Sequence, residues 1–208
     1  MTAPRDGRAR RVCDVVVSAF AMVVVSPLAL VIMLAILVTM GGPVLFRQRR
    51  SGRHGREFVI LKFRTLRSPD HPGEPDRSRR TGVGAVLRWT SLDELPQLVN
   101  ILKGDMSIIG PRPTLPEQVR YYSARQRGRL AVRPGLTGWA QVCGRNALSW
   151  PERIELDLWY IERRGWRLDL RIVLRTIGIL LRPRGVVGDG GVNPGFGPDQ
   201  EGHPRHVA

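Results

Sequence analysis

Cysteine is nearly absent from this chain. Only Cys13 and Cys143 occur in 208 residues, outside any CxxC or Cys/His spacing, so neither a disulfide framework nor a zinc site is indicated. Histidine is scarce too: His54, His71, His203 and His206 stand in polar, Gly/Pro-rich stretches without a metal-binding or catalytic arrangement. There is no internal repeat, and the short runs TGVG at Thr81 and GDGG at Gly188 are too brief to make a P-loop. The length suits one domain with a sizeable core. Acidic residues are in deficit, 18 Asp+Glu against 33 Lys+Arg, and the net charge of +15 calls for an anionic partner. Nucleic acid, anionic membrane lipid and a phosphate-rich small molecule all meet that requirement.

Charge itself is missing from residues 15–40, a run longer than the roughly 20 apolar residues a transmembrane helix needs. The run exceeds the usual signal-peptide core of about 7–15 residues, and no A-x-A site closes it. Its flanks argue against a simple span. Arg5, Arg8, Arg10 and Arg11 precede it and Arg47, Arg49, Arg50 and Arg53 follow it, whereas positive-inside asymmetry loads one flank. Both ends therefore read as cytoplasmic. Near the middle, Pro27 of the Ser26-Pro27 pair lacks an N–H and crowds the carbonyl of Val23, which predicts a kink or break. Each half is then about 12 residues, roughly 18 Å, too short for a hydrocarbon core of about 30 Å. A re-entrant helix-hairpin over residues 12–42 satisfies both observations; a proline-kinked spanning helix is the alternative.

Beyond the basic segment 1–11 and this hairpin, residues 43–182 read as a cytoplasmic catalytic domain of the α+β class, mostly helical. EFVILKFRTL (57–66) has strand composition, and Val44-Leu45-Phe46 with an intervening glycine turn makes it one arm of a small β-hairpin. Alternation places Phe58, Ile60, Lys62 and Arg64 on one face, a candidate phosphate-facing edge. The stretch 68–80 has the composition of a mobile surface loop. Helices are expected after Ser91 up to Gly104, from about Thr114, and from Ser149, the last two with capping-box spacing and proline in the first turn. A final helix from about Asp169 sets Leu170, Val173, Leu174, Ile177 and Leu181 against Arg171, Arg175 and Arg182. That pattern fits an amphipathic interfacial helix on anionic lipid, or a core helix with a solvated arginine face. Residues 183–208 read as a flexible Gly/Pro-rich tail.

The stretch LRWTSLDELPQLVNILKGDMSIIGPRP (87–113) carries the candidate chemistry. The adjacent acids Asp93 and Glu94 lie between Arg88 and Arg112. Ser91-x-x-Glu94 also has the spacing of a plain capping box, with Asp93 complementing a helix dipole. Chemically, neighbouring carboxylates among cations suit reaction at phosphorus: one binds Mg²⁺ or attacks while arginines hold the equatorial oxygens.

KFRTL, TSLDELPQLVNILKGDMSIIGPRP, RPGLTGWAQVCGRN and ERIELDLWYIERRGWRLDLRIVLRT together resemble the bacterial sugar transferase family, the monotopic polyprenyl-phosphate phosphoglycosyl transferases, in minimal form. The resemblance runs from the Ser26-Pro27 segment to about Arg182. It implies a re-entrant membrane helix broken at Ser26-Pro27 and an Asp-Glu dyad at Asp93 and Glu94. It further implies a Mg²⁺-dependent, two-step transfer of sugar 1-phosphate from a UDP-sugar to polyprenyl (undecaprenyl) phosphate, through a phosphosugar on Asp93 with release of UMP. Such a step opens exopolysaccharide or glycan assembly at the cytoplasmic face of a bacterial inner membrane. Arg88, Arg112 and Lys62 match positions expected around the phosphates; Arg145 and Asn146 match a turn given a nucleotide-side role, although a turn-stabilising role serves them equally. Asp105 is either behind the dyad or helix-ending, and Asp169 a cap or a fold-holding ion pair. Cys143 departs from the Asn more usual at its place. Nucleic-acid binding competes on charge but not on the apolar run, and a non-catalytic scaffold competes on membrane attachment. The sequence leaves the transferred sugar and a homodimeric state open.

Overall fold

The computed structural model describes residues 7–144 and 148–181. It is mostly helical, with two small two-stranded sheets. The apolar run lies in one helix, α1 (Arg8–Met40), with Pro27 inside it. The amide that Pro27 lacks would have bonded the carbonyl of Val23, and the Ser26 hydroxyl donates to that oxygen instead, at 2.8 Å. Helix therefore continues through the proline, and the expected separation into two halves becomes a proline within a single helix.

One stripe of α1 faces the rest of the chain. Asp14, Ser18, Met22, Val25, Ala29, Ile32 and Ile36 recur at three- and four-residue steps and are buried or packed on the core. Val16, Phe20, Val23, Val31 and Val38, on other faces, are 61–85% exposed, an apolar surface far larger than a water-facing helix carries. Among the described residues α1 is the helix long and apolar enough to cross a membrane.

Both ends of α1 are tied to the same body. At its start, Asp14 Oδ1 accepts from Ser107 Oγ at 3.1 Å and Ile108 N at 3.0 Å. Arg11 donates to the carbonyls of Ile101 and Leu102, and Arg10 to Tyr160 and Asp169. At its end, the buried guanidinium of Arg64 donates to the carbonyls of Met40, Gly41 and Gly42, closing a helix terminus whose last carbonyls have no internal partner. Arg64 is thus a helix clamp, not the phosphate-facing cation that strand alternation suggested.

The hairpin is longer on its first arm than expected. β1 (Leu45–Ser51) pairs antiparallel with β2 (Glu57–Phe63) from Leu45↔Phe63 to Ser51↔Glu57. Arg47 and Arg49 point to solvent, which lets a charged run serve as a strand. The other edge of β2 is closed by a side chain: buried Asn100 accepts from Leu61 N at 3.0 Å and donates to Val59 O at 2.8 Å, as a third strand would. Residues 68–80, expected to be mobile, close on themselves. Leu66 and Arg80 bridge, and the Glu74 carboxylate accepts from Arg67, Asp70 N and Ser78 Oγ.

Next comes a helix absent from the sequence reading, α2 (Gly82–Thr90), capped by Thr81, whose hydroxyl accepts from Gly84 N at 3.0 Å. A Cβ at Gly84 would stand 1.9 Å from Thr65 O, so glycine there lets the helix rest on the chain leaving β2. The single helix expected from Ser91 to Gly104 is instead a 3₁₀ turn, Leu92–Glu94, followed by α3 (Gln97–Lys103); Gly104 stops it at φ 93° as expected. β3 (Ser107–Ile109) pairs in parallel with β4 (Gly135–Thr137), a second sheet that short apolar runs did not reveal. The helix near Thr114 is one turn, α4 (Pro116–Val119). After α5 (Trp139–Cys143), α6 (Trp150–Arg163) starts as expected: Ser149 and Glu152 bond reciprocally. α7 (Trp166–Leu181) begins slightly earlier than its apolar pattern suggested. The tail 183–208 lies outside the described residues.

Candidate active site

Asp93 and Glu94 occupy the 3₁₀ turn between α2 and α3, opposite the end of β2. Ser91 takes a left-handed conformation, φ 60°, and makes no capping hydrogen bond, so the capping-box reading of Ser91 and Glu94 is withdrawn. Glu94 turns to cations instead. Its Oε1 accepts from Lys62 Nζ at 2.6 Å and from Arg112 Nη2 at 2.7 Å. Asp93 is left with one long ion pair, Oδ2 to Lys62 Nζ at 3.9 Å. The Asp93 and Glu94 side chains are 13% and 16% exposed, enough for one face of the pair to be reached.

Neighbouring acids are thereby set apart electrostatically. Burial pushes the Asp93 carboxyl above its ordinary range; Lys62 opposes this, the Glu94 charge reinforces it, and Arg112 and Arg88 oppose it more weakly. Burial also pushes Glu94 up, but Arg112 and Lys62 overcome it and hold Glu94 far below the usual carboxylate range. Glu94 in turn raises the Arg112 guanidinium. Glu94 is a fixed anion, while Asp93 is an oxygen donor with little to neutralise it. Among the described residues, Glu94 Oε2 and both Asp93 oxygens accept no hydrogen bond, and no group of three or more His, Cys, Asp or Glu side chains is gathered.

The remaining expected residues divide. Lys62 and Arg112 meet the dyad directly. Arg88 lies on α2 within electrostatic reach of Asp93, but its Nε donates to Thr65 Oγ1 at 2.8 Å. Arg145 and Asn146 lie outside the described residues. Ser26 and Pro27 sit in α1, where Ser26 bonds locally. Asp105 ends a helix: its N–H donates to Asn100 O at 3.0 Å. Asp169 makes a fold-holding ion pair with Arg10 and accepts from Tyr160 Oη at 2.9 Å.

Sequence reasoning missed the support beneath Arg112. Arg129 Nη2 donates to the Arg112 carbonyl at 2.8 Å, while its Nε pairs with Asp157 of α6 at 2.7 Å and its Nη1 donates to Tyr122 Oη at 2.8 Å. On the other flank, IGPRP and RPGLTG interlock as bare backbone: a Cβ on Gly135 would lie 2.0 Å from Gly110 N, and one on Gly138 would lie 2.2 Å from Gly110 O. No side chain fits between them, so the segment carrying Arg112 is held without slack.

The site is thus an anionic pair under two cations, on a domain that carries one long apolar helix. The family model of bacterial sugar transferases matches residues 5–183, and the chain belongs to that family. It is 41% identical over 180 residues to an uncharacterized sugar transferase, EpsL, of Bacillus subtilis, covering 85% of this chain and 89% of the relative. The exopolysaccharide production protein ExoY of Rhizobium meliloti is 39% identical over 202 residues, covering 88% and 89%. The UDP-glucose:undecaprenyl-phosphate glucose-1-phosphate transferase of Caulobacter vibrioides is 44% identical over 185 residues, covering 83% and 69%.

Proposed function

We propose that this sugar transferase moves a sugar 1-phosphate from a UDP-sugar to a polyprenyl phosphate such as undecaprenyl phosphate, through a phosphosugar bound to Asp93. The observation that carries the reading is the inequality of the dyad, with Glu94 locked by Lys62 and Arg112 and Asp93 left unbonded at an accessible face. A carboxylate oxygen of Asp93 attacks the β-phosphorus; the bond from that phosphorus to the bridging oxygen breaks, and UMP leaves with the electron pair. An oxygen of the polyprenyl phosphate then attacks the same phosphorus, and the bond to Asp93 breaks to restore the carboxylate. Lys62 and Arg112 hold equatorial phosphate oxygens and stabilise charge that builds on them, and Arg88 adds positive potential from α2. Arg145 and Asn146 are assigned to the nucleotide on the resemblance alone.

The donor set fits Mg²⁺, an ion usually held by one or two carboxylates with substrate phosphates and water completing the shell. Asp93 and Glu94 Oε2 would hold it, and the ion would supply charge neutralisation at the diphosphate.

Attachment at both ends of α1 to one polar body supports a monotopic placement at the cytoplasmic face, with both arginine-bearing flanks on the same side of the inner membrane. The name of the Caulobacter relative supports the donor and acceptor, and the ExoY name supports a place in exopolysaccharide assembly. In α7, Leu170, Leu174, Ile177 and Leu181 are 48–77% exposed while Ile172 and Asp169 are buried, which favours the interfacial over the core-helix reading. Full-length protein with undecaprenyl phosphate, Mg²⁺ and a panel of UDP-sugars should release UMP from at least one of them. Asp93→Asn should release none, and donor alone should leave a phosphosugar mass on the Asp93 peptide. A chain lacking Asp93 that still loads the lipid at the normal rate overturns the reading.

A further inference from the structure

The hairpin carries a cation, Arg50, that makes no ion pair among the described residues. Phe46 pairs with Lys62, Gln48 with Ile60 and Arg50 with Phe58. Directly paired residues share a face and faces alternate along a strand, so Arg50, Gln48 and Lys62 occupy the face that Lys62 turns to the dyad. Arg50 leans along it: Nη2 donates to Gln48 Oε1 at 2.6 Å, in the direction of Lys62. The bridge between Ser51 and Thr114 brings this end of β1 beside the segment that carries Arg112.

Two neighbouring arginines carry ion pairs, Arg112 with Glu94 and Arg129 with Asp157. Arg50 is half-buried, and among the described residues it has no ion pair and one hydrogen bond, to a neutral amide. Its Nε is enclosed without an acceptor. Burial and repulsion from Arg112 outweigh the attraction of Glu117 and Glu94 and bring its pKa down to about 10. A half-buried cation that no described residue meets in an ion pair is a costly arrangement that a bound anion relieves.

We infer that Arg50 is a further phosphate-binding residue, taking an oxygen of a substrate phosphate held beside Arg112. The inference rests on the dyad being a phosphate-handling site, and it adds a contact on the hairpin side that the Asp-Glu motif does not contain. The phosphate comes either from the nucleotide donor or from the lipid acceptor. Both are tested by titrating UDP and a short-chain polyprenyl phosphate, separately, into detergent-solubilised full-length protein.

Loss of one charge-assisted hydrogen bond at such a site weakens binding by about tenfold or more. Arg50→Gln should show that loss for one of the two ligands with no fall in thermal stability, because it removes a half-buried charge that no described residue meets in an ion pair. Weakened UDP assigns Arg50 to the donor; weakened polyprenyl phosphate assigns it to the acceptor. Unchanged affinity for both overturns the inference. A second measurement needs no variant: phenylglyoxal labelling of Arg50 in the wild type, read by peptide mass spectrometry, should fall when the assigned ligand is present, and unchanged labelling counts equally against it. If ligand binding depends on Arg50 yet no UDP-sugar yields UMP, the transfer reading fails and the phosphate contact stands. Transfer at wild-type affinities in Arg50→Gln gives the reverse.

Discussion

Arg129 holds the main-chain carbonyl of Arg112 at 2.8 Å from inside the protein. Its own pairing with Asp157 is almost fully enclosed, the side chains being 3% and 1% exposed. Arg129→Met would strand the Asp157 carboxylate, whose Oδ1 already lacks a partner, and removing one member of a buried pair costs about 3–5 kcal/mol. The expected result is a correspondingly lower unfolding midpoint in denaturant. Replacing both partners, Arg129→Met with Asp157→Leu, should recover most of the stability while transfer stays slow, because Arg112 has lost its tether. Full activity in the stable double variant would show that the tether is dispensable.

The two acids of the dyad should respond oppositely to neutralisation. The folded-state pKa of Asp93 is raised, so its contribution to stability is fully present below the unfolded value and is lost as pH rises through the folded one. At neutral pH Asp93 is a burden, and Asp93→Asn should melt no lower than the wild type while losing transfer. The folded-state pKa of Glu94 is depressed, so its contribution is present above the unfolded value and is lost as pH falls through the folded one. Glu94→Gln should therefore destabilise at neutral pH by about 1–3 kcal/mol, toward the lower end because solvent screens the half-exposed Arg112. Thermal melts of both variants at neutral and acid pH check the pair; equal behaviour would remove the electrostatic distinction on which the assignment of nucleophile rests.

The same inequality sets a pH–rate profile. Attack needs ionised Asp93, so kcat/KM should fall on the acid side; burial raises that limb, and Mg²⁺ held by the same carboxylate would lower it. Lys62 pulls the Asp93 pKa down, and Lys62→Met should therefore move that limb to higher pH in addition to weakening donor binding. A limb that stays in place in Lys62→Met would mean that another group limits the rate.

What the sequence made legible was mostly local. Ser149 with Glu152, Gly104 as a helix stop, and Asp93-Glu94 between arginines are patterns written in adjacent residues, and the structure keeps each of them close. Long-range partners left no such trace. Nothing near Asn100 announces that its amide will edge β2, and nothing near Arg129 announces Arg112, because those pairings arise when α3 and the 3₁₀ turn at Gln126–Ala131 pack against distant chain. α2 was hidden by Gly82 and Gly84, poor helix formers, of which Gly84 stands where the backbone passes against Thr65. Arg64 shows the converse error: strand alternation ends at Phe63, so one further step of the pattern assigned a helix clamp to the wrong task.

The apolar stripe of α7 allows the membrane reading to be tested apart from the chemistry. Leu174 is 60% exposed and Ile177 48%, while the same helix is fixed to the domain through Ile172 and through Thr176, whose hydroxyl lies 2.8 Å from that of Thr137. Substituting Leu174→Glu and Ile177→Glu together therefore removes no core packing, and the fold should melt within about 1 kcal/mol of the wild type. If α7 lies in the interface, each carboxylate must be drawn into an apolar boundary beside anionic headgroups, and both terms oppose binding. The detergent-free test compares co-sedimentation with vesicles of anionic and of neutral lipid. The double variant should lose affinity for both, and neutralising Arg171 and Arg175 should lose it for the anionic vesicles alone. Retention of α1 will hold some protein on the membrane in every case, so the quantity to read is the rate of transfer to lipid-embedded acceptor relative to UMP release from donor alone. That ratio should fall when α7 lifts away, and an unchanged ratio would assign the stripe to something other than lipid.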